Sequence, residues 1–159
     1  MPHFNLTDLH ARLARNQRLL GLDPGTKSIG LALSDVRRVL ASPFGTMRRG
    51  KLAEAVDTIR AIVKREDVGG LVVGLPLQLD GTLGPAAQAA RDWTFALTEA
   101  TGLPAAMWDE RLSSAEANRA LTAQGANRAR RAASVDRMAA AVILQAALDS
   151  LHARHDVDR

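Results

Sequence analysis

The stretch from Arg18 to Leu33 constrains the fold more than any other part of this 159-residue sequence. It begins with the apolar run RLLGLD, which is typical of a short strand and ends on the carboxylate of Asp23. The composition of Pro24-Gly25-Thr26-Lys27, which follows, is that of a turn. From Ile29 to Leu33 apolar residues alternate with small or polar ones, which indicates a second strand. The stretch therefore predicts an antiparallel hairpin with an acid beside its turn.

The rest of the chain alternates between strand and helix patterns. In chain order they predict a strand over 39–46, a helix over 51–66, a strand over 71–74, a helix over 86–101, a strand over 105–109, a helix from 113 to about 124, a polar loop over 125–133 and a last helix capped by Ser134. An antiparallel three-strand start followed by parallel strands, with helices on both faces, is a mixed α/β sheet. The length suits one domain, which we place at 18–152, with an appendage at 1–17 and a tail at 153–159.

Composition limits the chemistry that the core can carry. The sequence contains no Cys, and its four His lie near the ends, at positions 3, 10, 152 and 155. A zinc site, a Cys nucleophile and a Ser-His-Asp triad are therefore not expected in the core. A metal held there would have oxygen ligands, which favour Mg²⁺ or Mn²⁺.

The expected cellular compartment of the protein follows from features that the sequence lacks. No apolar run reaches the roughly 20 residues of a membrane span, and residues 1–15 lack the apolar stretch of a signal peptide. The absence of Cys fits a reducing environment. We therefore expect a cytoplasmic protein without a membrane partner.

The basic residues favour a polyanionic partner. Only three of the 21 basic residues are Lys, and the segment from 111 to 137 contains six Arg and only two acidic residues. Arg binds phosphate through a planar, two-pronged group, so this excess suits nucleic acid. Codon usage in a GC-rich genome, which raises Arg and Ala together, explains the overall Arg content equally well.

Three acidic positions lie where a functional crevice is expected. Asp23 ends the first strand, the pair Asp109-Glu110 ends a later one, and Asp136 lies near the start of the last helix. In open α/β sheets the carboxyl ends of the strands border the crevice, so distant acids can converge there. Because consecutive strand residues face opposite ways, Asp109 and Glu110 cannot both point inward in a regular strand, and we favour Glu110. When each acid is considered alone, another explanation is available. Asp23 would then only stabilise the turn, and Asp136 would be an ordinary acid in the first turn of a helix.

Five segments, in this order, resemble the YqgF/RuvX family. They are DPGTKSIGLALSD from Asp23, VVGLPL from Val72, DGT from Asp80, DERLSS from Asp109 and VDRMAAAVILQ from Val135. The resemblance covers about Arg18 to Leu151 and implies a ribonuclease H-like fold, a cytoplasmic location and maturation of the 5′ end of the small-subunit rRNA precursor. Members have also been called Holliday-junction resolvases. The chain departs from the pattern in having Ser at 28, where Arg is common, and Ser at 113 and 114, where a Thr pair is more usual.

The resemblance gives the acids a role in phosphodiester hydrolysis, in which two divalent ions activate water and stabilise the leaving oxygen. Asp23 would bridge two Mg²⁺ or Mn²⁺ ions, and Glu110 and Asp136 would complete the catalytic site, with Asp109 as the alternative to Glu110. The candidate substrate-binding residues are Lys27, Arg111 and the arginine cluster, which comprises Arg128, Arg130 and Arg131. Solvated charge or an ordinary ion pair is the alternative for each. We interpret the arginines at 37, 38, 48 and 49 as surface charge.

These observations predict a nuclease that acts on nucleic acid, with pre-16S rRNA as the expected substrate and the small ribosomal subunit as a partner. One alternative is a resolvase that cuts structured DNA, and another is a ribosome-assembly factor that binds RNA without cutting it. A phosphotransferase of the actin and sugar-kinase type also begins with Asp-x-Gly-Thr, but it needs two such lobes. The sequence does not indicate the oligomeric state, the metal preference or whether cleavage is internal.

Overall fold

A computed structural model describes the backbone of residues 5–25, 27–112 and 128–157, and the side chains of 5–25, 27–111 and 138–153. Its elements in chain order are α1 (Leu6–Arg12), β1 (Arg18–Pro24), β2 (Ser28–Ser34), β3 (Ala41–Arg48), α2 (Leu52–Glu66), β4 (Val68–Leu75), α3 (Pro85–Thr101), β5 (Ala105–Asp109), a 3-10 turn (Glu110–Leu112) and α4 (Arg128–Val157). No helix in these ranges has the length and apolarity to cross a membrane.

The strands form one mixed sheet in the order β3-β2-β1-β4-β5. β1, β2 and β3 pair antiparallel, whereas β4 pairs parallel with β1 and β5 pairs parallel with β4. The predicted mixed sheet is thus confirmed. Because β1, β4 and β5 run in the same direction, their carboxyl ends meet at one edge, where Asp23 and Asp109 lie.

Helices cover both faces of the sheet, as predicted. Leu20 and Leu22 of β1 belong to the core beneath α2 and α3, whereas Leu19 belongs to the core beneath α1 and α4. This division follows from the alternation of side chains along a strand. On the second face α4 lies close to β1, since a Cβ added at Gly21 would lie 3.0 Å from the Cβ of Leu144.

The amino-terminal segment contacts the sheet. Its residues 6–12, predicted to belong to an appendage, form α1, which Asn5 caps by accepting a hydrogen bond from the Asp8 amide at 2.8 Å. Leu9 is fully buried in the core beneath α1 and α4. The apolar residues at 6, 9 and 13 have helical spacing, which is the signal for this helix.

Three predicted boundaries were wrong, and one of them belongs to the strand predicted over 71–74, which runs from 68 to 75. The structure is helical from Arg128, so residues 128–133 are not a loop and Ser134 lies within α4 instead of capping it. Arg and Ala, which dominate that stretch, are good helix formers despite its polarity. The third strand runs from 41 to 48 instead of 39 to 46. The helix predicted from 113 to about 124 lies outside the described residues.

Candidate active site

A tight turn at the end of β1 positions Asp23. The Gly25 amide donates to the Ser28 carbonyl at 2.9 Å, and a Cβ on Gly25 would lie only 2.7 Å from that oxygen. A side chain at position 25 would therefore displace the turn. Asp23 is half-buried and pairs with Gly30 across the hairpin. It lies two residues after Gly21, so its side chain is on the same face of the strand as Gly21, which faces α4. Asp23 consequently lies on the α4 face of the sheet edge.

Glu110 reaches Asp23 from the end of β5. It is the first residue of the 3-10 turn, is half-buried and hydrogen-bonds to the Asp23 side chain. A Cβ on Gly74 of the neighbouring strand would lie 2.6 Å from Glu110 Oε1 and 2.9 Å from Ile143 Cδ1. The glycine thus leaves the space between β4 and α4 that the Glu110 carboxyl occupies. The structure therefore brings Asp23 and Glu110 together.

The contact between these two acids changes how Glu110 titrates. Burial, then the hydrogen bond and negative charge of Asp23, and last the charge of Asp109 raise the pKa of Glu110 to about 9. At neutral pH and without a cation, Glu110 therefore keeps its proton and donates it toward Asp23. A bound cation would offset the negative charge of Asp23 and favour the ionised form of Glu110.

Asp109 faces a different partner. Both of its carboxylate oxygens accept hydrogen bonds from Arg111, with Nη2 at 2.6 Å from Oδ2 and the backbone amide at 3.0 Å from Oδ1. The hydrogen bonds and charge of Arg111 hold the pKa of Asp109 below its usual value, despite a smaller opposing effect of burial. Arg111 Nη1 also donates to the Leu79 carbonyl at 3.3 Å. Arg111 therefore links Asp109 to the loop that follows β4, and Asp109 does not join Asp23.

The two acids line an open cleft of about 550 Å³. Its other lining residues come from the turn after β1, the end of β3, the loop after β4 and the first turns of α3: Pro24, Gly25, Arg49, Pro76, Ala86 and Ala89. The small alanines and the absence of a bulky side chain at 25 leave room for a ligand that contacts both carboxyls.

The remaining predicted site residues are Lys27, Asp136 and the arginine cluster. The side chain of Lys27 is exposed. Asp136 and the arginine cluster lie on the helical backbone of α4, and their side chains are outside the described residues. Asp136 precedes by one helical turn Ala140, whose carbonyl would lie 3.4 Å from a Cβ on Gly21. Among the described side chains, no three potential metal ligands form a group.

Arg49 is the cleft residue that the sequence reasoning assigned to surface charge. Its Nη1 donates to the Gly25 carbonyl at 2.6 Å, and its own amide donates to the Lys27 carbonyl at 3.0 Å. The pairing of Arg48 with Ser28 in the β2–β3 ladder places residue 49 beside the Asp23 turn. No local sequence pattern indicates this position, because it depends on the register between β2 and β3.

A family model and similar proteins from bacteria indicate the family of this chain. The sequence model named RuvX and described as Holliday junction resolvase matches residues 17–150. A protein of Acidiphilium cryptum is 60% identical over 152 residues, which cover 96% of each chain. A protein of Gluconacetobacter diazotrophicus is 60% identical over 151 residues, covering 94% of this chain and 98% of the relative. Both carry the provisional name pre-16S rRNA nuclease.

A solved structure supports the fold. RuvC of T. thermophilus, in complex with a Holliday junction substrate, superposes with a TM-score of 0.52 and 15% identity, covering 88% of this chain and 96% of RuvC. At this identity the likeness concerns the fold alone. Together with the five-stranded mixed sheet, it confirms the predicted ribonuclease H-like fold.

Proposed function

The chain belongs to the RuvX family, and on that premise we propose that it is a nuclease that hydrolyses phosphodiester bonds at the cleft of Asp23 and Glu110. The observation that carries the proposal is the hydrogen-bonded contact of these two acids at the carboxyl edge of the sheet, inside an open cleft. We further propose pre-16S rRNA, processed at its 5′ end, as the substrate, since two relatives at 60% identity carry that name. The small ribosomal subunit as partner and the cytoplasm as location stay predictions.

A divalent cation fits the residues present. Asp23 and Glu110 offer only oxygen atoms, which hard cations such as Mg²⁺ and Mn²⁺ prefer. The raised pKa of Glu110 reflects an acid pair for which a cation would be the natural partner. Asp23 and Glu110 would hold the ion, with Asp136 as the proposed third ligand. When bound, such ions supply activation of the attacking water and stabilisation of the leaving oxygen.

The chain's own residues fix where the reacting phosphate can lie. Gly74 leaves space for the Glu110 carboxyl, and Arg111 binds Asp109, which prevents Asp109 from competing for the cleft. The turn at Gly25 holds the Asp23 carboxyl at the cleft wall. A phosphodiester that contacts both acids is thereby directed into the space between the β1 turn and α3.

The test is a cleavage assay with Mg²⁺ or Mn²⁺ that compares precursor rRNA, a generic single strand and a four-way DNA junction. We expect cleavage of the precursor near the mature 5′ end and no cleavage by Asp23→Asn. Preferential cutting of the junction would instead favour a resolvase, the activity in the family's description. Binding of precursor rRNA without cleavage of any substrate would refute the nuclease and favour an assembly factor.

A further inference from the structure

We propose that Arg49 is a substrate-binding residue whose guanidinium binds a phosphate oxygen of the nucleic-acid strand in the cleft. The inference rests on the proposed function for the class of substrate. Arg49 is neither one of the three candidate acids nor one of the substrate-binding cations that the sequence indicated. Three observations carry it: the fixed position of Arg49, its lack of an acidic partner among the described side chains, and its place in the same cleft as Asp23 and Glu110.

The position of Arg49 is fixed by two hydrogen bonds to the Asp23 turn. Its amide donates to the Lys27 carbonyl at 3.0 Å, and Nη1 donates to the Gly25 carbonyl at 2.6 Å. A guanidinium has five N–H groups, so a bond through Nη1 leaves Nε and Nη2 able to donate. That edge is suited to a two-point contact with phosphate. The side chain is also only half-buried, so it meets a ligand without first unfolding the turn.

No acid among the described side chains forms an ion pair with Arg49. In the part of the chain with described side chains, the ion pairs are Arg18–Glu66, Arg65–Glu66 and Arg111–Asp109, and none includes Arg49. Its side-chain partner is a neutral carbonyl, although two acids line the same cleft. Those acids bind each other, and among the described side chains none competes with an external anion for the guanidinium.

Arg49 is also the only cation among the described residues that line the cleft. Arg111, which the sequence offered as a substrate-binding residue, uses its Nε and Nη2 on Asp109. A phosphate in the cleft therefore has Arg49 as its cationic partner within the described walls. Because the bond is to a phosphate and not to a base, it should be independent of sequence.

The opposing interpretation is that Arg49 only supports the turn, and Arg49→Gln separates the two. Gln keeps an N–H donor for the Gly25 carbonyl but removes the charge and the second donor edge. The matched control is Arg48→Gln, because Arg48 is adjacent, has the same chemistry and is exposed outside the cleft lining. Thermal melting of each variant shows whether the turn and fold persist.

The experiment measures binding of a short single-stranded RNA with a fluorescent 5′ label by anisotropy, with Ca²⁺ present and over a range of KCl concentrations. We expect Arg49→Gln to weaken binding about tenfold, the scale of one charged hydrogen bond, and to lower the salt slope by about one. Arg48→Gln should stay within about twofold of wild type, as expected for a charge without a phosphate contact. Wild-type affinity and slope in a folded Arg49→Gln variant would overturn the proposal.

A second readout uses the unmodified protein and covers the case in which Arg49→Gln does not fold. The NMR signal of the Arg49 Nε–Hε group, assigned with Arg49→Lys, should shift when the same RNA saturates the protein. An unchanged signal at saturation would also overturn the proposal. Wild-type protein that binds neither this RNA nor the precursor rRNA would instead refute the proposed function, and the inference with it.

Discussion

Replacing Glu110 with Gln should remove a pH-dependent instability from the metal-free protein. Burial and the neighbouring Asp23 carboxylate raise the pKa of Glu110 in the folded protein to about 9, from an ordinary value of 4.5. Between these two values the unfolded chain releases a proton that the folded chain keeps. The contribution of Glu110 to stability is therefore complete below about pH 4.5 and decreases as the pH rises toward 9.

The size of the effect follows from this proton difference. One full proton corresponds to about 1.4 kcal/mol in the free energy of unfolding per pH unit, so the ceiling from about pH 5.5 to about 8.5 is roughly 4 kcal/mol. The cleft is open to water, which screens the interaction and reduces the difference to about half of that ceiling. We therefore expect wild type to lose about 2 kcal/mol more than Glu110→Gln over this range.

Urea unfolding followed by circular dichroism, in EDTA and at several pH values, measures this difference. Glu99→Gln is the matched control, because Glu99 is an exposed residue of α3. In this variant the free energy of unfolding should have the same pH dependence as in wild type. Parallel stability curves for wild type and Glu110→Gln would show that Glu110 titrates normally. The account of the acid pair would then be wrong.

Three further predictions test the cleft and its surroundings. Asp23→Asn should lower single-turnover cleavage more than about a hundredfold while melting and RNA binding persist, since metal catalysis supplies several kcal/mol; near wild-type cleavage would exclude Asp23 from the chemistry. Changing the whole arginine cluster to Ala should weaken binding of unrelated sequences alike and lower the salt slope by about one unit per lost phosphate contact, measured by anisotropy; unchanged binding would mean solvated charge. Gly74→Ala should displace Glu110 and destabilise the protein by about 1–3 kcal/mol in urea unfolding, unlike Gly45→Ala, where a Cβ would have no neighbour within 4 Å.

Much of the architecture could be predicted because it depends on local patterns. The run that ends at Asp23, its turn and the alternation that follows specify β1 and β2, and the acids at strand ends indicated which edge carries the candidate site. The start of α4 was missed because polar residues at 128–133 were interpreted as a loop, although Arg and Ala favour a helix. Composition on its own does not separate an exposed helical turn from a loop.

The sequence by itself determined the oxygen-only chemistry of the core and the strand ends that carry the acids, among them the pair Asp109 and Glu110. It did not determine which of the two reaches Asp23, because that depends on contacts between residues distant in the chain. Arg111 binds Asp109, and Gly74 leaves the space that Glu110 fills. In the same way Arg49 enters the cleft only because pairing of β2 with β3 places it beside the turn after β1. Strand register and close packing, which no local pattern encodes, decided these contacts.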